Sequence, residues 1–246
     1  MWMSKDRFAA KRLRSIADDL SDDKRATIKK YSAFASLLNV SPFNVPNELI
    51  DFVAINTSPK LREFNYRGKR IVFTKQMVSK WLGLRSRTKS VVLLTKSVHS
   101  DLRDHYKGGL SKLPIVNVAK MLKELDANDE DAVIRTWDIL CCATVLDPGS
   151  GNMMCLDYLG SMDDPKKLHE FDWDEHILDL TMHYAEKIQK MKERPLVLEK
   201  GASNFSFWIS GPMAMLAVSC STLFVCLLCE AFFVFACVLL HMSIAY

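Results

Sequence analysis

One stretch of this chain constrains its fold more than any other: residues 212–240 carry a single charged side chain, Glu230. Twelve of the residues from 222 to 240 are Leu, Val or Phe, and none is Gly or Pro. About 20 apolar residues are enough for a helix to cross a bilayer. Inserting this segment into a membrane gains roughly 4 to 7 kcal/mol, against a cost of about 3 kcal/mol for the carboxylate. We therefore expect one transmembrane helix at 212–240, followed by a short tail at 241–246.

The basic residues nearest to this run all precede it, and they predict its orientation. Positively charged flanks stay on the cytosolic side of a membrane. Residues 1–30 are charged throughout and contain no apolar core for a signal peptide. The expected topology is that of a tail-anchored protein, with a cytosolic N-terminal domain and a hinge at 195–211. The basic residues in question are Lys187, Lys190, Lys192, Arg194 and Lys200.

The periodicity of apolar residues predicts a mainly α fold for the domain at residues 31–194, preceded by a charged arm or solvent-exposed helix at 1–30. Pro114, Asp129 and Asp172 each begin a helix with apolar residues on one face. Roughly 200 residues precede the apolar run, which is enough for one domain with its own core. We thus expect a helical domain, a small β-hairpin and the C-terminal transmembrane helix.

The hairpin is predicted at residues 64–73, where apolar and polar residues alternate around Arg67 and Gly68. Thr74 can then cap a short helix that stops at Gly83. Residues 91–94 are rich in β-branched side chains and favour a further strand. A helix-turn-helix around Gly83 is an alternative, because a small residue four positions before the glycine and the apolar flanks match its spacing.

Charge is distributed unevenly along the domain. Residues 60–96 contain eleven Lys or Arg and one acid, whereas residues 124–179 contain fifteen acids and three bases. Either the two segments dock and neutralise each other within one domain, or the basic segment forms a patch for nucleic acid or an anionic membrane. The candidate residues for such a patch are Arg67, Lys69, Arg70, Arg85, Arg87 and Lys89.

No group of residues indicates catalysis. His169, His176 and His183 recur every seven residues, which on a helix separates neighbours by about 10 Å, too far for two of them to bind one ion. Paired acids such as Asp163 and Asp164 suit a solvated surface better than an acid–base pair. We predict no metal, no cofactor and no enzyme activity.

Six short motifs are spread along the domain, at residues 61–64 (LREF), 69–74 (KRIVFT), 81–84 (WLGL), 144–150 (TVLDPGS), 156–162 (LDYLGSM) and 169–177 (HEFDWDEHI). Together they resemble the plant mobile domain family, also called the aminotransferase-like plant mobile domain, in the form found in transposon-associated proteins of grasses. The resemblance extends over about residues 31–212. It implies a mostly helical domain that is derived from a mobile element and has no established catalytic activity.

The family's longer name suggests a transaminase, but the residues do not. A pyridoxal-phosphate enzyme needs a Schiff-base lysine, a carboxylate for the pyridine nitrogen and a phosphate cup. No lysine of this chain lies in a recognisable setting of that kind. The resemblance to this family therefore does not indicate that the protein catalyses a particular type of reaction.

From about residue 219 the sequence departs from the family pattern and becomes continuously apolar. Either a true anchor follows a shortened domain, or the segment comes from a mispredicted exon. We expect a non-catalytic binding or structural protein, derived from a mobile element and anchored to a membrane. The alternative is a soluble nuclear protein that associates with nucleic acid through residues 60–96. An enzyme is a distant third alternative.

Overall fold

The computed structural model describes residues 3–6, 10–41, 46–95, 99–148, 152–193 and 206–209. These residues form a mainly helical fold with a small antiparallel sheet, which confirms the predicted fold class of the domain. The helices are α1 (Ala10–Asp18), α2 (Asp22–Tyr31), α3 (Asn47–Ile55), α4 (Lys75–Leu82), α5 (Asp101–Lys107), α6 (Ile115–Glu124), α7 (Glu130–Cys141) and α8 (Trp173–Glu193). The strands are β1 (Met3–Asp6), β2 (Thr57–Ser58), β3 (Glu63–Tyr66), β4 (Lys69–Val72) and β5 (Ser206–Ile209).

The ends of the helices follow signals in the adjacent sequence. The Thr74 side chain accepts a hydrogen bond from the backbone N–H of Met77 and caps α4, as predicted. Asp129 caps α7 in the same way, by accepting from the N–H of Ala132. α6 begins directly after Pro114. Each cap satisfies a backbone donor that has no partner inside its helix.

Residues 10–31 are part of the domain, which corrects the expectation of a charged arm or solvent-exposed helix. α1 buries Leu13 and Ala17, and α2 buries Ile28 in the same core. Lys24 is also buried, and its Nζ donates to the carbonyl oxygens of two residues at the end of α6. Most residues of this segment are polar, but α1 and α2 each have a narrow apolar face. Burial of that face holds both helices against the core.

The sheet has the order β2–β3–β4 and is antiparallel throughout. Tyr66 pairs with Lys69 across the predicted hairpin. The two residues between them, Arg67 and Gly68, have φ values of 48° and 76°. Two positive φ values in a two-residue loop are typical of a type I′ turn, which matches the twist of the strands. The hairpin prediction is thereby confirmed, while β1 and β5 form a separate parallel pair.

The basic and acidic segments dock against each other through α4 and α8. Arg62 contacts both Glu175, at 2.7 Å, and Asp179, at 2.6 Å. Lys75 Nζ lies 3.1 Å from a carboxylate oxygen of Asp172. The first of the two interpretations of the charge pattern therefore describes part of the basic segment. Other cations of that segment remain exposed.

Residues 84–95 contain neither the strand predicted at 91–94 nor the second helix of a helix-turn-helix. The segment is held by the polypeptide around residue 160 instead. The N–H of Val92 donates to Ser161 Oγ at 2.7 Å, and the N–H of Leu94 donates to the carbonyl of Asp157 at 2.7 Å. A side-chain acceptor interrupts the repeated backbone pairing that a strand requires.

The predicted transmembrane segment at 212–240 lies outside the described residues, as does its short tail. Within the described part of the chain, no helix combines the length and the apolar character needed to cross a membrane. The 21-residue α8 is long enough, but Asp174, Glu175 and Lys190 are among its charged residues.

Candidate anionic-partner interface

The segment after α4 places three of the predicted patch residues side by side. Residues 84–88 have no regular secondary structure, Lys89 forms a single bridge with Phe171, and the N–H of Asp172 donates to the carbonyl of Lys89 at 2.7 Å. Arg85, Arg87 and Lys89 are thus three cations within five residues of one anchored segment, here called the basic row. All three side chains are exposed.

A buried carboxylate beside the basic row holds its backbone. Ser86, which lies between Arg85 and Arg87, donates a hydrogen bond to the fully buried carboxylate of Asp174. Ser79 on α4 donates to the same oxygen. Burial alone would raise the pKa of Asp174, but the interaction with Asp172 and the hydrogen bonds donated by Ser79 and Ser86 hold it below its usual range. An ionised carboxylate thus anchors the inner side of the row.

The three cations of the basic row are neutralised to different degrees. Lys89 Nζ lies 3.9 Å from a carboxylate oxygen of Glu170 and 4.2 Å from the ring centre of Phe171. Arg87 Nε donates to the carbonyl oxygen of His169 at 3.2 Å, which leaves its full charge in place. Arg85 is exposed at the other end. The two arginines consequently supply most of the positive field.

A cavity of about 340 Å³ opens beside Arg85. It forms where the C-terminal end of α2, the corner at Gly83 and residues 169–173 meet. Among the described residues that line it, the charged side chains are Lys29, Lys30 and Arg85, and the imidazole of His169 is a further basic group. No described acid lines this cavity, so its field favours an anion.

The floor of the cavity is apolar. Phe171 and Trp173 line it and are both nearly fully buried. The indole Nε1 of Trp173 donates to the carbonyl of Leu168 at 2.8 Å, so this polar atom is already satisfied. Gly83 forms the corner with φ at 65°, and a Cβ atom there would lie 3.2 Å from Cβ of Ser36. Glycine thus permits both the turn and the close approach of the two segments.

The other three predicted patch residues lie on the hairpin. Arg67, Lys69 and Arg70 are exposed, and the known contacts of the two arginines stay within the hairpin. The guanidinium of Arg67 lies 5.2 Å from the ring centre of Tyr66, and Arg70 lies 3.5 Å from Glu63. The six candidates therefore divide into a basic row and a hairpin group on different elements.

Sequence reasoning missed the contribution of α2 to this interface. Lys29 and Lys30 come from the segment that we expected to be an arm or an exposed helix, yet they line the cavity beside Arg85. Two adjacent lysines at the end of a predicted helix were the available signal. That signal alone does not indicate which distant segment the helix will approach.

A second polar cluster joins Asp147, in the segment that follows α7, to α8. Tyr158 Oη donates to Asp147 at 3.1 Å and lies 3.2 Å from Nε2 of His176, while Tyr184 Oη donates to the other Asp147 oxygen at 2.8 Å. Burial raises the pKa of Tyr158 and lowers that of His176, so both are neutral near pH 7. The tyrosines act as hydrogen-bond donors to the carboxylate, an arrangement that ties two helices together.

The thiols of the described domain are poor nucleophiles. Cys141 and Cys142 are fully buried, and burial raises the pKa of each thiol well above its ordinary value. Burial also raises the pKa of Cys155 to about 11. A thiolate is the reactive form of cysteine. Within the described residues, no group of His, Cys, Asp and Glu side chains is placed to hold a metal ion.

The chain belongs to the family described as Domain of unknown function (DUF8566), whose model matches residues 6–217. The match includes α1, α2 and every residue of the basic row and the cavity. No curated protein and no solved structure matches the chain.

Proposed function

We propose that this member of the DUF8566 family is a non-catalytic binding protein, held at a membrane by residues 212–240, whose basic row binds an anionic partner. The observation that carries the binding role is the exposure of Arg85, Arg87 and Lys89 on a segment whose backbone is held by hydrogen bonds. The polar contacts behind the row hold its backbone, so little conformational entropy is lost when a partner binds. The resemblance to the plant mobile domain supports an origin in a mobile element and remains part of this proposal.

Three exposed cations within five residues suit a polyanion, which presents several negative charges to one surface. A protein that neutralises phosphates releases their counterions, so its affinity falls steeply as salt increases. Salt dependence is therefore the property that tests the row.

The test compares two matched charge reversals in the full-length chain. One variant carries Arg85→Glu, Arg87→Glu and Lys89→Glu, and the other carries Arg67→Glu, Lys69→Glu and Arg70→Glu on the hairpin. Binding to a labelled DNA duplex is measured at increasing salt, with folding monitored by circular dichroism. We expect the row variant to lose binding, and single neutralisations to lower the salt slope by about 0.9 each. Equal loss in both variants would show that the row has no special role.

The membrane anchor is supported by the composition of residues 212–240 and is tested separately. A tagged full-length chain should remain in the membrane pellet after alkaline carbonate extraction, and a chain that ends at residue 211 should not. Release of the full-length chain by carbonate would contradict the anchor.

The alternative function is that of a soluble nuclear protein that associates with nucleic acid. The exposed basic row favours this alternative as well, since it needs no membrane to act. Sequencing the 3′ end of the transcript and locating the tagged protein in cells distinguish the two. A transcript that lacks the codons for the apolar segment would favour the nuclear protein. Enzyme activity stays the distant alternative, because burial raises the pKa values of the described thiols and leaves them poor nucleophiles.

A further inference from the structure

The cavity beside Arg85 differs in chemistry from the basic row that it adjoins. Its rim is cationic, through Lys29, Lys30 and Arg85, whereas its floor is aromatic, through Phe171 and Trp173. Its volume of about 340 Å³ is within the range of about 300 to 1,000 Å³ that is usual for small-molecule sites. A phosphate ion would bind to the cationic rim and would have no use for an aromatic floor. The combination suits a ligand with one anionic end and one flat apolar end.

We infer that the cavity receives one nucleotide of a single-stranded nucleic acid. The base enters the cavity above the largely buried rings of Phe171 and Trp173. Its phosphate lies at Lys29, Lys30 and Arg85, and neighbouring phosphates lie near Arg87 and Lys89. This inference rests on the proposed function, because the row must bind a polyanion for the strand to continue beyond the cavity. It adds a preference for single strands that the row alone does not provide.

The preference for single strands follows from the shape of the site. A base inside a duplex is paired and stacked, and it must be unstacked before it can enter a pocket. A base of a single strand is free to enter without that cost. A duplex therefore binds only to the basic row, whereas a single strand binds to both the basic row and the cavity.

Tyr31 also lines the cavity, but its ring contacts lysine side chains and belongs to the cationic rim. Lys30 Nζ lies 4.6 Å from the centre of the Tyr31 ring, and Lys166 Nζ lies 5.1 Å from it. Lys166 is neutralised by Glu130 and Asp131, at 2.7 and 3.3 Å. The carbonyl end of α2 carries a partial negative charge, and the two lysines of its last turn offset that charge. The phosphate is thus expected at the lysine side chains and not at the helix end.

The test measures strand and duplex binding by the full-length chain in nanodiscs of zwitterionic lipid. The probes are a short labelled oligothymidine and a labelled duplex of the same length, followed by fluorescence anisotropy. We expect the strand to bind about tenfold more tightly than the duplex. Thymidine monophosphate should displace the strand at a lower concentration than inorganic phosphate does.

A variant that fills the cavity separates this inference from the proposed function. Ala35 lines the cavity, and Ala35→Phe should abolish the preference for the strand while duplex binding and its salt dependence persist. Val116→Phe, at a side chain that is 70% exposed on α6, is the matched control and should change neither. If Ala35→Phe does not fold, the exposed pair Lys29→Ala and Lys30→Ala replaces it, and it too should remove the preference.

The outcomes are distinct. Equal binding of strand and duplex by the unmodified chain would overturn the inference and leave the proposed function intact. Equal competition by thymidine monophosphate and phosphate would overturn it as well, because the floor would then contribute nothing. Absence of any polyanion binding would overturn both. Loss of strand binding in discs that contain phosphatidylserine would assign the row to the membrane surface and would also overturn the inference.

Discussion

Ser32, directly after α2, donates a hydrogen bond to the fully buried carboxylate of Asp138 on α7. The second carboxylate oxygen, Oδ2, has no hydrogen-bond partner among the described residues. Burial raises the pKa of Asp138 to about 7, and the hydrogen bonds from Ser32 and from the backbone at Ala33 and Phe34 only partly oppose it. The contact between α2 and α7 therefore contains a carboxyl group that titrates near neutral pH.

Stability should fall with rising pH because of Asp138. Between its unfolded pKa near 4 and its folded pKa of about 7, the folded state holds the proton and the unfolded state does not. The free energy of unfolding should therefore decrease across this window, by about 4 kcal/mol at most, and this contribution should be constant above it. Urea titrations from pH 4 to pH 8, followed by circular dichroism, measure the effect.

The matched variant for this prediction is Asp138→Asn, which keeps an acceptor for Ser32 and cannot ionise. Its stability should lack the decrease that the unmodified chain shows between pH 4 and pH 7. An identical pH profile in both proteins would mean that Asp138 is ionised in the folded state at all these values.

Lys24 should contribute to stability through its hydrogen bonds and not through an ion pair. Its Nζ donates to the carbonyl oxygens of Leu122, at 2.9 Å, and Lys123, at 2.7 Å, where α6 ends. Lys24→Met keeps the aliphatic stem but leaves both carbonyls without this donor. We expect a loss of about 2 kcal/mol in the free energy of unfolding, measured by urea titration. Lys11→Met, at an exposed position of α1, is the control and should change it by less than about 0.5 kcal/mol.

Local features of the fold were predictable from sequence because their determinants are neighbours in the chain. Thr74 and Gly83 delimit α4, and Arg67 with Gly68 sets the hairpin turn. The docking of the charged segments was one of two open interpretations, since composition shows that charges are complementary but not whether they meet. The structure resolves this at contacts such as Lys75 with Asp172.

The candidate site was predictable only in part. The residues of the basic row could be named from sequence, but their separation from the hairpin group depends on where residues 84–89 are held beside α8. The cavity depends on Lys29 approaching Arg85 and Phe171 from distant parts of the chain. Such contacts are set by the burial of α1 and α2 in the core, and a mostly polar helix carries only a weak signal for burial. The position of the cavity residues therefore depends on tertiary packing, which local sequence patterns do not specify.

Two glycines with positive φ should respond differently to alanine. At Gly68, with φ at 76°, an added Cβ would meet no described atom within 4 Å, so Gly68→Ala adds only backbone strain, about 1 kcal/mol. At Gly83, with φ at 65°, an added Cβ would lie 3.2 Å from that of Ser36. Gly83→Ala should therefore destabilise the fold by more than Gly68→Ala does. Thermal unfolding of the two variants side by side makes the comparison, and equal effects would show that Ser36 moves aside freely.

Removal of the Ser86 hydroxyl should weaken the basic row without changing its charge. Ser86 joins the row to the buried Asp174, and Ser86→Ala leaves that carboxylate with one hydroxyl donor fewer. We expect a loss of about 1 kcal/mol in stability and a several-fold weaker affinity for a labelled DNA duplex, because the row then loses more conformational freedom on binding. The salt slope should stay the same, since Arg85, Arg87 and Lys89 are all retained. Thr88→Ala, an exposed hydroxyl of the same segment, should leave affinity and stability unchanged, and a lower salt slope in Ser86→Ala would contradict a purely positioning role for the serine.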